Sequence, residues 1–126
     1  MKLLLILIGG GIGALLRYGL SGVISKISPT FPWGTLAVNM TGAFAAGFLW
    51  GLSENTIFLA HWKPFIFVGI LGGFTTFSTY GLETFNLLRD GEFAASLSNI
   101  LLSNILGILL VFVGFFCSKG LVTLYK

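Results

Sequence analysis

Charge is what this chain has least of: Lys, Arg, Asp and Glu together make up 9% of its residues. A sequence so poor in charge leaves little for a water-facing domain surface. The basic residues, Lys2, Arg17, Lys26, Lys63, Arg89, Lys119 and Lys126, are scattered without a run or stripe, so nucleic acid is not an indicated partner. Cysteine occurs once, at Cys117, which excludes an internal disulfide and a Cys-rich metal site. The one histidine, His61, stands beside Trp62 in a polar connection and reads as interfacial. No nucleophile, base and orienting acid fall into a recognisable motif, and metal-ligand spacing is absent, so an enzyme is not indicated. No sequence repeat relates the two halves.

What is present is apolar. Hydrophobic residues make up 56% of the chain and the mean hydropathy is +0.98. That supplies about four spans of roughly 20 residues each, hence an all-helical integral membrane protein with a single domain over 1–126. Lys2 followed by Leu3 to Ile8 looks like the start of a signal peptide. Hydrophobicity continues through Ile24 without a small-residue cleavage site, however, so the segment reads as a retained first span, about 3–25. Within it Gly9 and Gly13 make a small-xxx-small spacing that lets helices approach closely in lipid. Ser28-Pro29-Thr30-Phe31-Pro32 ends that helix. The second span, about 33–52, has Trp33 and Trp50 near its ends, as an interfacial aromatic belt would. Ser53 to Pro64 connect it to a third span, about 65–88. Arg89-Asp90-Gly91-Glu92 then turns the chain into a fourth, about 94–123.

The third span holds the stretch around which the rest is arranged, Gly72-Gly73-Phe74-Thr75-Thr76-Phe77-Ser78-Thr79-Tyr80. Two glycines weaken a helix, and the hydroxyls compete for backbone hydrogen bonds, so a break in mid-membrane is expected. Irregular backbone at that depth is tolerated where it is buried in protein or lines a wet cavity. The sequence therefore points to passage of a small hydrophilic solute.

Polar residues in the other spans have two readings each. Arg17 is paired, with Glu83 as the candidate partner, or snorkels, or attracts an anion. Asn39 either glues helices together or replaces part of an ion's hydration shell. Ser96, Asn99, Ser103 and Gly107 share one thin face of the fourth span, which is a packing seam or a pore wall. Phe77 and Tyr80 share a face after the break. Their ring edges carry partial positive charge that can stabilise a small anion without a full cation to trap it. Basic residues are nearly balanced between the two sides, Lys2, Lys63, Lys119 and Lys126 against Lys26 and Arg89 with Arg17 nearer the latter, so insertion in both orientations is expected.

Gly9-Gly10-Gly11-Ile12-Gly13-Ala14-Leu15-Leu16-Arg17-Tyr18, Trp33-Gly34-Thr35-Leu36-Ala37-Val38-Asn39 and Gly72-Gly73-Phe74-Thr75-Thr76-Phe77-Ser78-Thr79 together resemble the CrcB/Fluc family of fluoride channels over essentially the whole chain. The resemblance implies an antiparallel, dual-topology homodimer in the bacterial cytoplasmic (inner) membrane, with two pores that let fluoride leave the cell passively and reject chloride. It implies that Asn39 is the pore asparagine and Phe77 the first of two ring-edge phenylalanines, with Tyr80 standing where the second is commonest. Gly72 and Thr75 match positions whose backbone carbonyls hold a sodium ion at the dimer centre. Thr79 and Ser103 match a polar track, Gly107 a position where another hydroxyl occurs, and Arg17 a position near the cytoplasmic mouth. Fluoride is small and strongly hydrated, so weak donors repeated along a path suit it where a full charge would bind too tightly. Two rivals remain: a four-span proton-coupled multidrug exporter, which needs a membrane-embedded carboxylate that the first span lacks, and a scaffold subunit.

Overall fold

The computed structural model describes residues 1–54, Ile57 and residues 61–124. Every element is helical. α1 is Lys2–Ile24 and α2 is Trp33–Ser53. α3 starts as a wide-turned π-helical stretch, Pro64–Leu71, and ends in one α turn, Gly72–Phe74. α4 is Phe77–Arg89. α5, Phe93–Leu124, contains a second π-helical stretch, Leu102–Leu106. Among the described residues, four helical segments are long and apolar enough to cross a membrane: Lys2–Ile24, Trp33–Ser53, Pro64–Arg89 and Phe93–Leu124. Their limits lie within a residue or two of the spans expected from sequence. Residues 125–126 and half of the connection between α2 and α3 fall outside the described residues.

Few large side chains are buried. Among the described residues Leu36, Val38, Leu71 and Leu87 are the buried hydrophobics, while Leu3, Leu7, Leu15 and many others are exposed, as a lipid-facing surface requires. Small residues hold the helices together instead, because lipid gives apolar side chains no reason to prefer protein and close backbone approach supplies the packing energy. A Cβ at Gly9 would lie 2.8 Å from the Phe65 carbonyl oxygen, and one at Gly13 would collide with that of Ile70. The expected small-xxx-small pair thus docks α1 on α3. On the other side Gly47 meets the Val111 carbonyl, Gly114 meets that of Phe44, and Gly51 meets Ser118, which locks α2 to α5.

A polar seam joins α4 to α5. Ser96 Oγ donates to the Thr84 carbonyl at 3.3 Å, Asn99 Nδ2 donates to Thr84 Oγ1 at 3.0 Å, and Thr84 Oγ1 donates to the Tyr80 carbonyl at 2.8 Å. Ser96 and Asn99 are 0% and 1% exposed. For those two residues the thin polar face is therefore a packing seam, with side-chain hydrogen bonds made inside protein. At the turn between α4 and α5, Gly91 has φ 82°, a left-handed conformation that glycine adopts without steric cost.

Candidate functional site

The break falls inside the stretch expected to hold it, just after the paired glycines. Gly72–Phe74 is helical, and the extended residues are Thr75 (φ −78°, ψ 154°) and Thr76 (φ −146°, ψ 115°). Gly73 serves a different end: a Cβ there would strike the Gly10 carbonyl of α1, so it permits close packing. What holds the break open is Asn39. The Thr76 N–H donates to Asn39 Oδ1 at 2.8 Å, and Asn39 Nδ2 donates to the Thr76 carbonyl at 3.0 Å. One side-chain amide thus replaces, in both directions, the partners that a continuous helix would have given Thr76. The Thr76 side chain then starts α4. Its Oγ1 accepts from the Thr79 N–H at 3.2 Å and donates to Thr79 Oγ1 at 2.9 Å, an N-cap for the new helix.

Asn39 is therefore glue, and it retains a donor as well. A primary amide carries two N–H groups and the clamp uses one. The same residue lines a groove of about 430 Å³ together with Gly72, Thr75, Thr76, Phe77, Tyr80, Ser103, Asn104 and Gly107. Among the described residues, no charged side chain lines it. The Phe77 and Tyr80 rings are 5.4 Å apart between centroids and inclined at 56°. Phe77 is 80% exposed, so its ring is free to present an edge. The Tyr80 hydroxyl accepts from Asn104 Nδ2 at 3.1 Å. Ser103 Oγ reaches Asn99 Oδ1 at 3.5 Å, placing it where the α4–α5 seam opens into the groove.

Two further clefts adjoin this one. A space of about 370 Å³ is lined by Arg17, Ser21, Thr35, Thr76 and Thr79, and it shares Thr76 with the central groove. A space of about 500 Å³ is lined by Ala46, Gly47, Trp50, Glu54, Phe67 and Phe115, and it shares Ala46 and Phe67 with the central groove. All three follow α2, touching it at Thr35, then Asn39 to Ala46, then Ala46 to Trp50, with Glu54 just past its end. At about 1.5 Å of rise per residue, Thr35 to Glu54 spans about 28 Å, close to the roughly 30 Å of a bilayer's hydrocarbon core.

The residues singled out in the sequence are thus divided between two spaces. Asn39, Phe77, Tyr80, Ser103, Gly72, Thr75 and Gly107 share the central groove, while Thr79 and Arg17 line the neighbouring cleft. The Arg17 to Glu83 pairing does not form. Glu83 Oε1 accepts from Thr35 Oγ1 at 2.7 Å, and Arg17 makes no ion pair among the described residues. Thr35 lines the Arg17 cleft yet turns its hydroxyl to Glu83, whose own space is bounded by Asn86, Asp90 and the 25–32 connection.

Sequence reasoning missed Asn104 and the clamping role of Thr76. An asparagine inside an apolar span is expensive enough to have marked Asn104. Thr76 carried a fainter signal, a hydroxyl three residues before Thr79 at the point where helical periodicity restarts.

A family profile described as CrcB-like protein, Camphor Resistance (CrcB), matches residues 4–115. A fluoride-specific ion channel FluC of Parabacteroides distasonis is 42% identical over 127 aligned positions, covering 100% of this chain and 99% of its own. A protein of the same name from Salinibacter ruber is 50% identical over 120 positions, 94% of this chain and 90% of its own. Another from Pyrococcus abyssi is 42% identical over 117 positions, 92% and 94% of the two chains. With a match that runs through all four spans and the break between α3 and α4, the chain belongs to the CrcB family.

Proposed function

We propose that this protein is a passive, fluoride-selective channel that lowers cytoplasmic fluoride by letting it leave across the bacterial cytoplasmic membrane. The observation that carries the reading is the line of three adjoining clefts along α2, whose central member is lined by weak donors and ring edges without a charged side chain. A strongly hydrated anion needs its water replaced, and the free Asn39 N–H, the Ser103 hydroxyl and the Phe77 and Tyr80 edges offer that replacement without a trap. The positive end of the α4 dipole at the break adds to it. Relatives named as fluoride-specific channels over the full length of this chain support the same assignment. Thr79 and Ser103 continue the path as a polar track, and Arg17 concentrates anions at the cytoplasmic mouth. Expression in a bacterium that lacks its own fluoride exporter should restore growth in fluoride; no rescue by correctly inserted protein would count against the reading.

The working unit on this proposal is an antiparallel homodimer with dual topology. The clefts are open along their sides, and Phe77 and Gly72 are exposed in the single chain; a second copy would close the clefts and cover both. Cysteines placed singly in the connections of a Cys117→Ser background should be labelled from both membrane faces. Labelling from one face alone would end the antiparallel arrangement.

Gly72 and Thr75 suit the proposed sodium site. Thr75 leaves helical conformation, and Gly72 is exposed, so carbonyl oxygens from two chains could converge on a hard cation that offsets their dipoles. Within one chain a Cβ at Gly72 would meet only the Phe67 carbonyl oxygen, at 3.5 Å, an ordinary contact. Gly72→Val is therefore expected to leave the monomer folded and to cut dimer content and fluoride flux by tenfold or more, about 1.4 kcal/mol. A fully dimeric, active variant would remove the site.

A further inference from the structure

The cleft that continues the central groove toward the α2–α5 end of the molecule carries a charge arrangement that the fluoride reading leaves unused. Glu54 lines this cleft, and Lys119 Nζ donates to Glu54 Oε2 at 2.5 Å. The Lys119 ammonium also stands 5.1 Å from the centre of the Phe115 ring, and the Lys63 ammonium 4.2 Å from that of Trp50. Phe115 and Trp50 are walls of the same cleft. Both ammoniums thus sit on the aromatic rim of one opening, and one carboxylate neutralises one of them. Lys63 makes no ion pair among the described residues. The pair is partly open to solvent, at 35% exposure for the Lys119 side chain and 43% for Glu54.

We propose that Glu54, Lys119 and Lys63 set the electrostatic potential at this mouth, with Glu54 acting as a brake that cancels Lys119 and limits how strongly the opening gathers anions. The inference rests on the fluoride-channel reading and deepens it, because an opening of net positive charge raises the local concentration of a permeating anion. Lys119's hydrogen bond holds the Glu54 carboxyl below the usual carboxylate range, so the brake is ionised at neutral pH. Stapling is a weak alternative role for the pair. α2 and α5 already interlock through Gly47, Gly51, Gly114 and Ser118, and an exposed ion pair adds little to stability.

The two roles predict opposite patterns. A staple is damaged equally by losing either partner, whereas a brake and the charge it cancels act with opposite sign. Full-length proteins in liposomes would be compared by initial fluoride efflux at subsaturating fluoride, at ionic strengths of about 10 mM and about 300 mM, where the screening length is about 30 Å and below about 10 Å respectively. At low ionic strength Glu54→Gln should raise the rate about twofold to threefold, and Lys119→Gln and Lys63→Gln should lower it by a similar factor. The Glu54→Gln/Lys119→Gln protein should fall between its two parents, and all differences should shrink at high ionic strength. Glu54→Gln and Lys119→Gln both slowing efflux, or neither changing it, would overturn the proposal while leaving the channel intact. A wild-type protein that passes no fluoride would overturn the channel reading itself and this inference with it.

Discussion

Asn39→Asp protein is expected to lose fluoride efflux by about a hundredfold or more, the equivalent of about 2.7 kcal/mol in the transit barrier. Two effects act together. An ionised aspartate still accepts from the Thr76 N–H, but it cannot donate to the Thr76 carbonyl, so two oxygens would face each other where a 3.0 Å hydrogen bond now lies. A buried carbonyl left without its donor costs about 1 to 3 kcal/mol. The new carboxylate would also stand in the groove against the permeating anion. Comparing melting temperature with efflux separates these effects: a variant that melts like wild type but passes no fluoride places the loss in the groove. Wild-type efflux from Asn39→Asp would contradict both the clamp and the donor role.

Phe77→Ile is expected to slow efflux ten- to a hundredfold, while Tyr80→Phe changes it less than threefold, about 0.7 kcal/mol. Isoleucine fills much of the space of the Phe77 ring but has no quadrupole, so the positive edge offered to an anion disappears. Phenylalanine at position 80 keeps the edge. It gives up only the bond that Asn104 Nδ2 makes to the Tyr80 hydroxyl, and Asn104 keeps its 2.8 Å bond to the Ile100 carbonyl. That neighbour explains how a tyrosine is accommodated beside Phe77: its hydroxyl oxygen accepts from Asn104 of α5. Initial efflux rates of purified variants at equal dimer content make the comparison. A Tyr80→Phe protein as slow as Phe77→Ile would show that the hydroxyl itself serves fluoride, and an active Phe77→Ile protein would remove the ring-edge account altogether.

The spans were legible because hydropathy and length decide them, and proline or charge marks their ends. The break was legible in kind and in region, since Thr75 and Thr76 fall inside the Gly72 to Ser78 stretch whose glycines and hydroxyls weaken a helix. Which residues within it leave the helix was not legible, and Thr76 is one whose backbone another span grips. That grip depends on Asn39, distant in sequence, and no local pattern reveals it. Gly73 was instead used for approach to Gly10. The Arg17 to Glu83 pairing failed for a related reason: charges on different spans meet only if the helices are rotated suitably, and Thr35 occupies Glu83 first. Ser96 and Asn99 looked alike with Ser103 on a helical face, yet burial against Thr84 divides them from it. The π-helical stretch Leu102–Leu106, which contains both Ser103 and Asn104, left no trace in the pattern of apolar residues, although such irregular turns often accompany functional positions.

The most direct measurement is fluoride-electrode efflux from liposomes containing this protein alone, with chloride followed in parallel and no proton gradient imposed. A fluoride pathway along α2 predicts rapid, passive fluoride release with chloride retained. Release that requires a proton gradient, equal passage of chloride, or no release from folded protein would contradict it.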